Sequence, residues 1–317
     1  MTPFIDPDML PILEEMRAAP PVDYAGMPIA DARRIFDTGA AYWRALSPVN
    51  VLAEDLTLPG ASGPMRARLY RPSATGTLPL VVYVHGGGWT FGSVDSHENE
   101  MRYLALGANA AVLGFDYRLA PEAPFPAPLD DTLAAIAAAR SGRLAGKADT
   151  TRWAIAGDSA GAHLALAAML SARAAGDDLP VAAGLLYGCY APRFDNESNA
   201  LFGGGDFGLS NARMRWYWAN LLGGAAPGLL SAPLDADFAG LPPAYLLAAG
   251  LDPLRDDTLQ LAERFATAGV AHELVTVPGV IHGFLGRAAR LPAAQRALRD
   301  AGAFLSAKLN GRTNNGT

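Results

Sequence analysis

The 317-residue chain has a single cysteine, Cys189. No intrachain disulfide can form, so the fold has to rest on its core rather than on cross-links. Nor is there an excess of basic residues. Lys and Arg number 25 against 31 Asp and Glu, which leaves a net charge of −6. That balance excludes a general nucleic-acid or anionic-membrane surface. No apolar run is long enough to span a membrane, and the opening Met1-Thr-Pro-Phe-Ile-Asp-Pro-Asp8 is acidic and interrupted, unlike a secretory leader. A cytoplasmic location is therefore the expectation. Internal repeats, low-complexity segments and clusters with metal-ligand spacing are also missing, so neither a metal nor a cofactor is expected.

What remains is a chain that is half hydrophobic and 18% charged, enough for one large domain or two of medium size. Apolar runs recur at Leu78–Val84, Ala110–Phe115, Trp153–Ala156, Val181–Tyr187, Ala244–Ala249 and Glu273–Val277. Continuous runs of this kind predict strands covered on both faces, as in a parallel sheet. Helical segments fall between them at 96–108, 130–140, 162–175 and 256–268. Asp130 or Asp131 is placed to cap the second, and Gly269 to end the fourth. A last helix is expected over Ala293–Leu309. Residues 51–71 alternate around Pro-Gly and Gly-Pro turns and read as an antiparallel pair. The whole is an α/β pattern with a mostly parallel sheet. Residues 1–50 read as helical, with Asp31 as a cap. Residues 191–230 are rich in aromatics and too long for a plain crossover. They are expected to form an insertion above the carboxyl edge of the sheet, where open α/β folds bind ligands. The polar tail from Asn310 to Thr317 is expected to be disordered.

Chemistry concentrates at Gly157-Asp158-Ser159-Ala160-Gly161, a Gly-x-Ser-x-Gly turn between a short strand and a helix. Such a turn presents the serine at a strand end, beside a helix N-terminus that favours negative charge. A serine hydroxyl needs a base, an orienter for the base, and donors for the oxyanion. Of the five histidines, His282 follows the last apparent strand and is the best-placed base. Asp252 follows the strand Ala244–Ala249 and is the expected orienter; Asp256 and Asp257 read as first-turn helix residues. The order Ser159, Asp252, His282 is that of one hydrolase architecture. His85-Gly86-Gly87-Gly88-Trp89 follows another strand. Its Gly87 and Gly88, together with Ala160, can supply N–H donors to an oxyanion.

These motifs, with Tyr117-Arg-Leu-Ala-Pro-Glu122, Phe125-Pro-Ala, Asp252-Pro-Leu-Arg-Asp and His282-Gly-Phe, resemble the hormone-sensitive-lipase-like family of α/β-hydrolases. The resemblance runs from about Leu80 to Phe284. It implies an eight-stranded hydrolase core, here 51–190 and 231–310, and a helical cap, here 1–50 and 191–230. It also implies hydrolysis of short- or medium-chain acyl esters, with oxyanion donors at Gly87, Gly88 and Ala160. The family's serine motif usually continues with a further glycine, where this chain has Ala162.

Substrate-pocket residues are expected at Trp89, Trp216, Trp218 and Phe202, with Phe36, Tyr42, Trp43 and Tyr217 among the bulky residues of the cap. A closed apolar pocket of that kind predicts that specificity rises and then falls with acyl length, and the family resemblance implies a maximum at about four to six carbons. Gly203-x-Gly205-x-x-Gly208 formally matches a dinucleotide fingerprint but lacks a preceding strand. An amidase, arylformamidase or lactonase would use the same triad, and a non-catalytic receptor on this fold is the alternative from another class. The expected partner is a small-molecule ester, with no nucleic acid and no membrane. A homodimer is the one macromolecular assembly left open.

Overall fold

A computed structural model describes residues 3–311; most of the tail expected to be disordered lies outside them. Two helices come first, α1 (Leu10–Ala18) and α2 (Ile29–Arg44). The hairpin β1 (Leu52–Gly60) and β2 (Gly63–Arg71) follows, as the alternation around its turn predicts. From there strands and helices alternate: β3 (Leu78–Val84), α3 (Glu98–Ala108), β4 (Ala111–Phe115), α4 (Ala127–Ala138), β5 (Ala148–Asp158), α5 (Ala160–Ala175) and β6 (Ala183–Leu186). Two helices, α6 (Glu197–Phe202) and α7 (Asn211–Leu222), interrupt this rhythm before β7 (Ala244–Leu251), α8 (Arg255–Thr267), β8 (His272–Ile281) and α9 (Pro292–Leu309).

The eight strands form one sheet in the order β1-β2-β4-β3-β5-β6-β7-β8. The pairs β1–β2 and β2–β4 are antiparallel, and all the others are parallel. Strand β3 shows why its sequence is an unbroken apolar run. Leu80, Val82 and Val84 join a core with Leu164 and Leu166 of α5, while Val81 and Tyr83 join a second core with Leu104 of α3 and Leu298 of α9. Both faces of the pleat are therefore dry. Helix α5 is buried from Ala160 through Leu170, which explains its lack of a polar stripe.

Two expected caps are corrected. Helix α4 starts at Ala127 with Pro126 at its N-cap, a turn before the aspartates. Asp131 is instead a buried interior residue whose carboxylate accepts from the Ala61 N–H and from Arg118. Asp31 lies in the first turn of α2, whose N-cap is Pro28. In each case proline enters the helix ahead of the residue with the better capping chemistry. The Gly203–Gly208 stretch follows helix α6, not a strand, which removes the dinucleotide context.

Candidate active site

Parallel strands all deliver their carboxyl ends to one edge, and the reactive residues stand on that edge. Ser159 directly follows β5, between that strand and α5, with φ 53° and ψ −121°. That is a strained backbone for a residue with a Cβ, held by the tight turn into α5. Gly161 makes the turn feasible: a Cβ there would lie 2.0 Å from the Val84 carbonyl oxygen at the end of the neighbouring β3. Asp252 follows β7 and His282 follows β8.

The three side chains form one hydrogen-bonded line. His282 Nδ1 lies 2.7 Å from Asp252 Oδ2, and His282 Nε2 lies 2.9 Å from Ser159 Oγ. A carboxylate can only accept, so Nδ1 carries the proton and Nε2 faces the hydroxyl as an acceptor. Asp252 is fully buried, and its other oxygen accepts from the Leu254 N–H at 2.8 Å. Its loop is pinned from above by α6, where Ser198 Oγ and Asn199 Nδ2 both donate to the Pro253 carbonyl. Asp256 and Asp257 do lie in the first turn of α8. Asp256 accepts from the Ser198 N–H, and Asp257 from the Tyr190 N–H.

The glycine run leaves β3 beside Ser159. Gly87 and Gly88 both have positive φ, and no protein acceptor takes their N–H groups or that of Ala160 among the described residues. Free donors beside a nucleophile can receive developing negative charge. Gly88 is held by contact as well as by φ, because a Cβ there would sit 2.4 Å from the Tyr217 ring. The run is tied to the serine turn by Asp158, whose Oδ1 accepts from the Gly86 N–H and the Tyr83 hydroxyl, each at 2.9 Å. His97 lies 3.6 Å from the other oxygen. Burial lowers the His97 imidazole, but the Asp158 carboxylate outweighs it and lifts it to about 9. Burial also raises Asp158, and the charged His97 more than offsets that, so the carboxyl stays below its usual range. His85 is left neutral. Burial pushes it down to about 3, while Tyr117 stacks on it at 4.2 Å and donates to its carbonyl. The Tyr117 segment braces the glycine run in this way. Cys189 is buried, and burial raises its thiol well above the usual range, so it is a packing residue rather than a nucleophile.

A cavity of about 380 Å³ opens over Ser159 and His282. Its lining corrects the pocket expectation, because Trp89, Trp216, Trp218 and Phe202 do not line it. Trp89 is fully buried, packs tilted against Trp218 with ring centroids 4.6 Å apart, and donates to His163 Nδ1. Burial lowers His163 to about 4, which keeps that nitrogen free to accept. Trp216 packs on Phe91, and Phe202 on Phe207 and Arg255. The cavity wall is made instead by Met16, Phe36, Trp43, Leu209, Met214 and Tyr217. Large side chains were expected there, but Trp89, Trp216 and Trp218 pack into the core instead. Sequence reasoning also missed Tyr187, whose ring lies edge-on to His282 at 5.0 Å. Its only sequence signal is its place at the end of β6, on the same edge.

Comparison with known proteins gives the same fold. A family described as the α/β hydrolase fold matches residues 81–286. The chain is 37% identical over 252 residues to the esterase LipI of Mycobacterium tuberculosis, covering 77% of this chain and 78% of that protein. It is 39% identical over 255 residues to the carboxylic ester hydrolase LipN of the same organism, covering 75% of this chain and 65% of LipN. Among solved structures, the LAE6 α/β hydrolase from the metagenome of Lake Arreo, Spain, superposes with a TM-score of 0.91 at 34% identity, covering 97% and 99% of the two chains.

Proposed function

The chain belongs to the hormone-sensitive-lipase-like family of α/β-hydrolases, and from that premise we propose that it hydrolyses short- to medium-chain carboxylic esters through Ser159, His282 and Asp252. The observation that carries this reading is the unbroken line from Asp252 through His282 to Ser159, with N–H groups beside the serine that have no acceptor among the described residues. Ser159 Oγ attacks the ester carbonyl while His282 Nε2 takes its proton. Asp252 holds the imidazole in the tautomer that makes this transfer and stabilises the imidazolium that results. The N–H groups of Gly87, Gly88 and Ala160 receive the oxyanion. His282 returns the proton to the leaving alcohol, giving an acyl-enzyme. Water, activated by the same imidazole, then releases the acid and regenerates the serine.

Residues 1–50 and 191–230 act as the cap in this proposal. The support is that both contribute cavity wall facing Ser159, through Phe36 and Trp43 from one segment and Met214 and Tyr217 from the other. A cytoplasmic location is proposed alongside, supported by the lone buried cysteine, which suits a reducing compartment. No helix among the described residues is long and apolar enough to cross a membrane.

Ser159→Ala tests the mechanism. Turnover of p-nitrophenyl butyrate should fall by about 10⁶ in kcat, with circular dichroism unchanged. A fluorophosphonate should label the wild type once, at Ser159, and should not label the variant. Near-normal hydrolysis by the variant would assign the reaction to another group.

A further inference from the structure

The cavity over Ser159 is not apolar throughout. On the wall between α3 and the turn after β8 stand Glu100 and Arg287. Glu100 is 6% exposed, and its buried Oε2 has no hydrogen-bond partner among the described residues. The Arg287 guanidinium lies 4.6 Å over the Trp43 ring and makes no salt bridge within 4 Å among the described residues. Its near neighbour Arg290 differs, being paired with Glu15 at 2.7 Å. Another wall carries Arg213, stacked 4.7 Å over Tyr24; its hydrogen bond to protein is a 3.4 Å contact to the Val22 carbonyl. In a chain of net charge −6, two arginines that make no salt bridge among the described residues thus line the catalytic cavity.

A purely aliphatic ester gains nothing from either cation. Desolvating a charge without a partner is costly, and an arginine held over an aromatic ring has its planar fork of donors positioned for a bidentate acceptor. Burial raises the Glu100 carboxyl above its ordinary range, against the pull of His97 and Arg287. Glu100 and Arg287 act on each other through charge, with no salt bridge within 4 Å between them among the described residues, which leaves the guanidinium fork free for a bidentate acceptor.

We propose that this cavity accepts esters carrying a carboxylate away from the scissile bond, with Arg287 on the Trp43 ring as its anchor and Arg213 adding positive field. The inference rests on the ester-hydrolase reading above and concerns only which esters are taken. Charge-assisted, bidentate pairing of guanidinium with carboxylate is the recognition involved.

The test compares matched esters on the full-length protein. For charge on the acyl side, mono-p-nitrophenyl glutarate is set against p-nitrophenyl valerate. For charge on the alcohol side, 4-acetoxybenzoate is set against 4-methylphenyl acetate. The quantity read is the ratio of kcat/KM, charged to neutral, so that faults in folding or chemistry cancel. In one of the two arms, Arg287→Met should lower that ratio at least about tenfold, the effect of losing one hydrogen bond to a charged group. The loss should fall in KM, and Arg287→Lys should restore part of it. Arg213→Met should lower the ratio less, and rising salt should lower it in the wild type. Ratios equal in wild type, Arg287→Met and Arg213→Met on both arms would overturn the proposal while leaving the esterase reading intact. Failure of the wild type to turn over even the neutral esters would overturn both.

Discussion

Ser159, Asp252 and His282 stand on turns at the ends of three parallel strands, while the wall that faces them comes from the sides of α1, α2 and α7. The first region is held by backbone. Ser159 has its strained φ, Gly88 and Gly161 accept contacts that no Cβ would survive, and Asp252 is fixed by the Leu254 N–H. The second region is held by side-chain packing, Phe36 on Phe91 at 5.1 Å and Trp43 under Arg287. A backbone-built site tolerates almost no change of residue. A side-chain-built wall changes shape with each substitution while the chemistry beneath it stays the same. That division allows one reaction to be kept while its substrates vary.

The sharpest way to break the comparison is within the backbone-held region. Asp252→Asn should cost roughly 10³ to 10⁴ in kcat, because the amide favours the wrong imidazole tautomer. Asp256→Asn keeps an acceptor for the Ser198 N–H and should stay within about one order of magnitude of wild type. Steady-state kinetics on one ester reads both, and the reverse ranking would reassign the orienting carboxylate. Next in size is Gly88→Ala. Its methyl meets the Tyr217 ring at 2.4 Å and its φ is +60°, so the oxyanion donors must shift. A loss on the order of 10² to 10³ in kcat is expected, as for removal of one donor. Pairing it with Tyr217→Ala relieves the contact but not the backbone strain, so rescue should be partial. Full rescue would mean that the ring alone requires the glycine.

The contrast between the regions also sets what the sequence reveals. Serine, histidine, aspartate and the glycine run are each coded within a few residues, because a turn at a strand end is a local object. Strand order then brings them together with no further information needed from their side chains. The wall is not local. Trp218 and Tyr217 are neighbours on α7, yet the Trp218 ring packs on buried Trp89 while Tyr217 covers Gly88 in the cavity. Which side of a helix faces the site depends on how it settles over the sheet, and a run of three aromatics hides that phase. Glu100 and Arg287 were invisible for a related reason. They lie 187 residues apart in the chain, and each alone reads as a surface charge. The caps of α2 and α4 were misread where prolines upstream had already set the helix start.

A smaller effect separates wall from core. Phe36 lines the cavity, whereas Trp218 is 3% exposed and lies behind it. Rates across a series of p-nitrophenyl esters should rise at roughly 0.8 kcal/mol per added methylene until the cavity is full. They should then fall, as overpacking costs about 1–3 kcal/mol. Phe36→Ala should move that maximum to longer chains. Trp218→Ala should leave the maximum in place and instead lower the melting temperature, since emptying a buried tryptophan site costs about 3–5 kcal/mol. A shift of the maximum by Trp218→Ala, with none by Phe36→Ala, would return the tryptophan to the wall.

The smallest expected effect concerns two carboxylates, one just after β7 and one in the first turn of α8. Asp252 reaches out of the turn to His282, while Asp257, one helical turn on, points back into the core and accepts from the Tyr190 N–H at 2.9 Å. Burial, with Asp252 and Asp256 adding negative charge nearby, raises the Asp257 carboxyl to about 7. In the unfolded chain the same group titrates near its usual value of about 3.9. The folded protein therefore keeps a proton on Asp257 over a range where the unfolded chain has lost it. Linkage then makes this contribution to stability full below about pH 4, decreasing as the pH climbs, and gone above about pH 7. Asp257→Asn holds a neutral group with an acceptor oxygen in the same place and has no such dependence. Its melting temperature relative to wild type should rise between pH 5 and pH 8 by roughly a few degrees. The dependence of kcat/KM on pH should stay as in the wild type, because Asp257 touches neither His282 nor the serine. A melting difference that does not change with pH would place the proton elsewhere. An altered rate profile would mean that the two carboxylates act as one unit, and that the catalytic edge reaches deeper into the core than the line from Ser159 to Asp252.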